Sequence, residues 1–140
     1  MATAAGGRTP AQLFALVFGV VYLLVGVLGF AVTGFDDFAG RVYSEELILF
    51  PVNPLHNVVH IVVGALWIGG ARTHSSAKSV NLLIGVVYVL VAVLGFADVL
   101  KFLAIEGAGS TDNWLHLASG ALALYFGTAG AAGTARAAAA

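Results

Sequence analysis

The sequence predicts an all-α fold: an integral membrane four-helix bundle made of two parallel, pseudo-repeated helical hairpins. Three observations carry this. Of the 140 residues, 60% are hydrophobic and only 9% charged, against roughly a quarter charged in an average soluble domain. Four apolar stretches are separated by short polar segments, at about residues 11–32, 54–70, 80–103 and 113–130. The chain also repeats itself, helix pair on helix pair.

Helix is the form these stretches must take. Lipid offers no partner to backbone N–H and C=O groups, and four strands cannot close a membrane barrel. A span needs ~20 apolar residues, with ~17 near the lower limit, so the second stretch is short and stands nearly upright. The first stretch exceeds the ~7–15-residue apolar core of a signal peptide and no small-x-small cleavage site follows it, so it reads as a retained helix. Asn53-Pro54 gives the second helix an N-cap and a proline at its first position. Thr111 or Asp112 is placed to cap the fourth. The Gly- and Ser-containing segments 69–79 and 107–110 read as turns.

One transmembrane domain, residues 11–130, therefore lies between a tail at residues 1–10 and an Ala/Gly tail at residues 131–140. Arg8, Arg72, Lys78 and Arg136 fall on one side of the spans, and Arg41 and Lys101 on the other. The positive-inside rule then puts both termini and the central loop in the cytoplasm of a plasma (inner) membrane protein. All seven acids (Asp36, Asp37, Glu45, Glu46, Asp98, Glu106, Asp112) lie on the external side. Asp98 and Lys101 are spaced as an i, i+3 pair.

The duplication is specific. Gly19-Val-Val-Tyr22-Leu-Leu-Val-Gly26-Val-Leu-Gly29-Phe30 matches Gly85-Val-Val-Tyr88-Val-Leu-Val-Ala92-Val-Leu-Gly95-Phe96. Asn57-Val-Val-His60-Ile-Val-Val-Gly64 matches Asn113-Trp-Leu-His116-Leu-Ala-Ser-Gly120. The offsets are 66 and 56 residues, so the second external loop is the shorter one. Both hairpins enter from the same side, which makes the repeat parallel, about an axis along the membrane normal.

Gly19, Tyr22, Gly26 and Gly29 share one helix face, as do Gly85, Tyr88, Ala92 and Gly95. Small residues there read as a packing seam, with the tyrosine hydroxyls bonded across it.

The histidines admit more than one reading. His60 and His116 are equivalent in the repeat, each with Asn three residues before (Asn57, Asn113) and Gly four after (Gly64, Gly120). His56 lies one turn before His60, a spacing that brings two imidazoles to one ion. One reading is a structural polar cluster. Others are a divalent metal held by His56, His60 and His116 with the external acids Asp36, Asp37, Glu45, Glu46 and Asp112 available as further carboxylates, haem b between His60 and His116 with Gly64 and Gly120 leaving room for the macrocycle, and a small-ligand or proton pathway. The protease glutamate of His-Glu-x-x-His has no counterpart in Asn57, so hydrolysis is not expected and no catalytic residue is assigned. His74, in the central loop, is expected to be solvated.

The charge balance of -1 gives no basic patch for nucleic acid, and the absence of cysteine excludes disulfides and thiolate sites. No charge lies at mid-span and no span carries paired Gly/Pro breaks, which argues against an ion-coupled transporter. The expected partners are the lipid bilayer, and a second copy or another membrane protein.

The Asn53-Pro-Leu-His56-Asn57-Val-Val-His60-Ile-Val-Val-Gly64 segment, the helix before it and Asn113-Trp-Leu-His116-x-x-x-Gly120 resemble the domain of unknown function 4383 family, over roughly residues 10–130. That resemblance implies a small four-helix membrane protein and brings no activity. The function expected is a non-enzymatic interaction or envelope-associated component without cofactor; the alternative is a haem- or metal-binding protein using the histidines of helices 2 and 4.

Overall fold

The computed structural model describes residues 7–40 and 46–128. Arg41, Glu45, Arg136 and the Ala/Gly tail lie outside the described residues. The fold is all-α, with helices α1 (Pro10–Thr33), α2 (Pro54–Gly70), α3 (His74–Phe96) and α4 (Thr111–Gly127). A two-residue hairpin, β1 (Glu46–Leu47) and β2 (Phe50–Pro51), and a 3-10 turn at Lys101–Leu103 occupy the connections.

Local chemistry sets the helix starts. Thr9 and Gln12 form a reciprocal capping box, with Pro10 at the first helical position. The Gln12 amide then donates to the carbonyls of Ala71 and Arg72, fastening the start of α1 to the end of α2. Asn53 caps α2 by accepting from the His56 N–H at 2.8 Å. Its amide also donates to Phe102 O and Gly40 O, joining both loops at that end.

Two boundaries differ from the sequence reading. α3 begins at His74, not near Val80, because Thr73 caps it by accepting from Ser76 N–H; the turn is only Ala71–Thr73. α3 also stops at Phe96 and does not run to Leu103. Asp98 and Ala104 take positive φ, of 60° and 59°, around the 3-10 turn. His74 is half-buried, with Nδ1 2.9 Å from Thr9 Oγ1, and so is not simply solvated.

α1 packs along α2, and α3 along α4, through the glycine faces. A Cβ on Gly64 would stand 2.5 Å from Leu23 N and 2.7 Å from Gly19 O. One on Gly120 would stand 2.9 Å from Val89 N and 3.2 Å from Gly85 O. The two pairs make the same close approach, which only hydrogen in place of a side chain permits.

The interior carries Phe14, Tyr22, Trp67, Ile84 and Tyr88 in one cluster. Beside them are buried polar side chains, among them Asn57, His60, Asn81, Asn113 and His116. The exposed faces are instead apolar, including Val17, Leu24 and Val27 on α1 and Leu83, Leu90 and Val93 on α3. α1 and α3 are each long and apolar enough to cross a membrane. α2 and α4 are shorter, with 17 residues each.

Candidate functional site

The histidines meet at one end of the molecule because the caps put them in register. With Asn53 as N-cap, His56 and His60 stand on successive turns of one face of α2, and their ring centroids are 4.4 Å apart. His116 reaches the same place from α4, 6.0 Å from His56 and 6.2 Å from His60 between ring centroids. All three are buried, and each offers a ring nitrogen within 4.8 Å of the others. The three residues singled out in the sequence therefore do come together.

Aromatic rings wall the group on its inner side. Tyr22 meets His60 edge-on at 5.1 Å and Tyr88 meets His116 edge-on at 5.0 Å, the same contact in each half of the chain. The Tyr22 hydroxyl donates to Ser119 Oγ at 2.9 Å. The Tyr88 hydroxyl is buried without such a bond. Asn57 donates to Thr33 Oγ1, and Asn113 to Gly107 O. Asn57 thus ties α2 to the end of α1, and Asn113 ties α4 to the loop before it. Gly64 and Gly120 are filled by the backbones of α1 and α3, as described above, and leave no room for a macrocycle.

What distinguishes the group is how little the protein satisfies it. His60 has neither ring nitrogen in a hydrogen bond, and the Nδ1 atoms of His56 and His116 are likewise buried and unpartnered. Buried polar groups are ordinarily hydrogen-bonded, and leaving one unpaired costs ~1–3 kcal/mol.

By sequence, Asp112 is a candidate cap for α4 and one of several external acids available to a histidine/carboxylate site, not distinguished from the others. It is fully buried, with both carboxylate oxygens unpartnered, and Ser110 takes the N-cap position. The signal was available: at the offset that pairs His60 with His116, Asp112 pairs with His56. Asp112 and His60 line a cavity of about 80 Å³, walled otherwise by apolar side chains that include Leu47, Ile48 and Phe50. The apolar run at residues 47–50 thus packs over the histidine end, and Thr111 Oγ1 fixes it there by donating to Leu49 O at 2.7 Å.

In the connection between α3 and α4, Lys101 pairs with Asp98 at 2.8 Å and approaches Glu106 at 3.7 Å. That ammonium, helped by the Gly107 N–H, holds Asp98 below the usual carboxylate range. The i, i+3 expectation is borne out.

The sequence model of the family described as "Domain of unknown function (DUF4383)" matches residues 12–129. The chain belongs to this family. The DUF4383 match takes in all of α2, α3 and α4 and most of α1, so the histidine group and Asp112 are part of the family domain. No curated protein and no solved structure matches the chain.

Proposed function

We propose that this DUF4383 protein is a multi-pass plasma (inner) membrane protein whose four helices form a bundle of two pseudo-repeated hairpins. Within it, His56, His60 and His116 hold a divalent first-row metal ion. The observation that carries the metal reading is the clustering of three buried imidazoles, each with at least one ring nitrogen left without a partner.

Three nitrogen donors of this kind suit Zn²⁺ and its neighbours in the first row, and three imidazoles leave a fourth position open. Around a tetrahedral ion with Zn–N of ~2.0–2.1 Å, ligand nitrogens stand roughly 3.3 Å apart. The side chains have to draw in by at most about 1.5 Å from their present spread to reach that geometry. Bound metal offsets part of the cost of the unpaired nitrogens, because one nitrogen of each imidazole would ligate it. Haem b is disfavoured by the glycine packing. The helix pair His56/His60 supplies no general base, and the reading is a metal-holding envelope component rather than a hydrolase.

The membrane reading is supported by the reversed polarity of the fold, with His, Asn and Asp inside and Val and Leu outside. α2 at 17 residues spans ~25 Å of helix, close to the minimum. Cytoplasmic termini rest on the Lys/Arg distribution.

Purified protein in mild detergent, titrated with Zn²⁺ and Co²⁺, tests the metal reading. One ion per chain, lost in His60→Ala and His116→Ala variants that still fold, is the expected result. A wild-type protein that folds and takes up neither metal overturns it. Because the chain has no cysteine, single Ser75→Cys and Gly107→Cys variants report sidedness directly. Impermeant maleimide added to intact cells should label only Gly107→Cys.

A further inference from the structure

We propose that Asp112 is the anionic partner of the metal's fourth coordination position, making the site three histidines and one aspartate. This rests on the three-histidine reading above and extends it to a fourth residue.

Three independent observations lead here. First, the chain's own register places Asp112 where the other hairpin has His56: Asn57, His60 and Gly64 align with Asn113, His116 and Gly120, and the same offset of 56 residues pairs His56 with Asp112. Since His56 contributes to the group from its helix, the equivalent position on α4 faces the same region from the opposite side. Second, Asp112 is fully buried with both oxygens unpartnered, and no ion pair reaches it among the described residues. A buried carboxylate of that kind requires either a counter-cation or a proton. Third, Asp112 and His60 border the same small cavity. The remaining walls are Val25, Leu47, Ile48, Phe50, Val52 and Leu115, so His60 and Asp112 are the two lining residues with titratable side chains.

The dimensions fit this role. Asp112 stands outside the tight group in which the histidine nitrogens lie within 4.8 Å of one another. The cavity of about 80 Å³ borders both His60 and Asp112, enough space for a water, whose share of liquid volume is ~30 Å³. The charge balance fits as well. Three neutral imidazoles around a divalent ion leave two positive charges in an apolar surrounding, and one carboxylate halves that excess.

Co²⁺ titration of detergent-purified full-length protein tests the assignment, because the visible absorption of Co²⁺ reports its ligands. Asp112→Asn should weaken Co²⁺ binding by ~10–100-fold and shift the visible bands. Asp112→His, which copies the other hairpin, should retain binding with a spectrum of its own. If Asp112→Asn binds with wild-type affinity and spectrum while His60→Ala does not bind, Asp112 has no such role and the three-histidine site stands alone. If Asp112→Asn fails to fold, Asp112→His decides: a spectrum identical to wild type overturns the assignment. Wild-type protein that takes up no Co²⁺ removes the histidine site itself, an outcome distinct from these.

Discussion

Tyr22 on α1 donates a hydrogen bond to Ser119 on α4, at 2.9 Å, while its counterpart Tyr88 is buried in no such bond. The two tyrosines occupy matching positions in the repeated segment, and Ser119 corresponds to Val63 in the other hairpin. The asymmetry therefore arises from the partner, not from the tyrosine. Tyr22→Phe removes a bond and leaves Ser119 still donating to Leu115 O. It should cost about 1 kcal/mol. Tyr88→Phe removes a hydroxyl whose approach to Tyr22 falls short of a well-formed hydrogen bond and should cost less, within about 0.5 kcal/mol. Denaturant titration of both variants in mild detergent, followed by circular dichroism, separates them; equal losses would contradict the assigned bond.

The glycine seams make a graded prediction. Gly64→Ala would press a methyl against the Leu23 nitrogen and Gly19 oxygen, which belong to backbone and cannot move aside. Overpacking of this sort costs ~1–3 kcal/mol. Gly69, on the same helix, has nothing within 4 Å of where its Cβ would be. Gly69→Ala should be neutral or stabilising by up to about 1 kcal/mol. Thermal unfolding of the pair in one detergent checks the contrast between a contact glycine and a free one.

Much of this architecture is legible in the residues, and the reason differs by feature. The buried faces of α1 and α3 follow from Gly and Tyr at helical spacing, and the face that the sequence marks is the face that packs. The start of α2 follows from Asn53-Pro54, a purely local signal. The burial of Asp112 is not legible, because two residues into a helix, behind a Ser-Thr pair, a carboxylate normally caps or meets water. Its burial depends on residues 46–51 folding over it, which is tertiary. The start of α3 was missed for the opposite reason: His74–Ser79 is polar enough to pass for a turn, yet the Thr73 cap and burial of Ala77 begin the helix there. Asn81 attracted no notice because a single asparagine in an apolar run has no pattern to announce its partners.

Those partners make Asn81 a second polar anchor, at the end of the molecule away from the histidines. Its Oδ1 accepts from Trp67 Nε1 at 3.1 Å, and its amide donates to Ala11 O at 3.1 Å, so one side chain joins α3 to α2 and α1. Asn81→Leu is close in size but strands the indole N–H in a fully buried place. The expected loss is about 1–3 kcal/mol. Trp67 emission should change with it, since the indole loses its hydrogen bond. An unaltered emission spectrum together with unaltered stability would contradict this role.

The loop that follows α3 should respond to acid through Asp98. The Lys101 ammonium and the Gly107 N–H both stabilise the ionised carboxylate, so its folded value lies below the ordinary one. For a depressed carboxylate, the stabilisation is present above the unfolded value and disappears as the pH falls through the folded one. The ordering of residues 97–107 should therefore be complete at neutral pH and weaken only below the usual aspartate range. Asp98 is exposed, so the effect is local and screened by salt. Amide exchange at Gly107, compared between wild type and Asp98→Asn, is the direct measure. Wild type should lose protection at Gly107 on acidification, beyond the intrinsic pH dependence of exchange, and Asp98→Asn, whose amide oxygen still accepts but carries no charge, should show weaker protection at neutral pH. If the two proteins exchange at the same rate at neutral pH, the Asp98 carboxylate is not what holds the Gly107 turn.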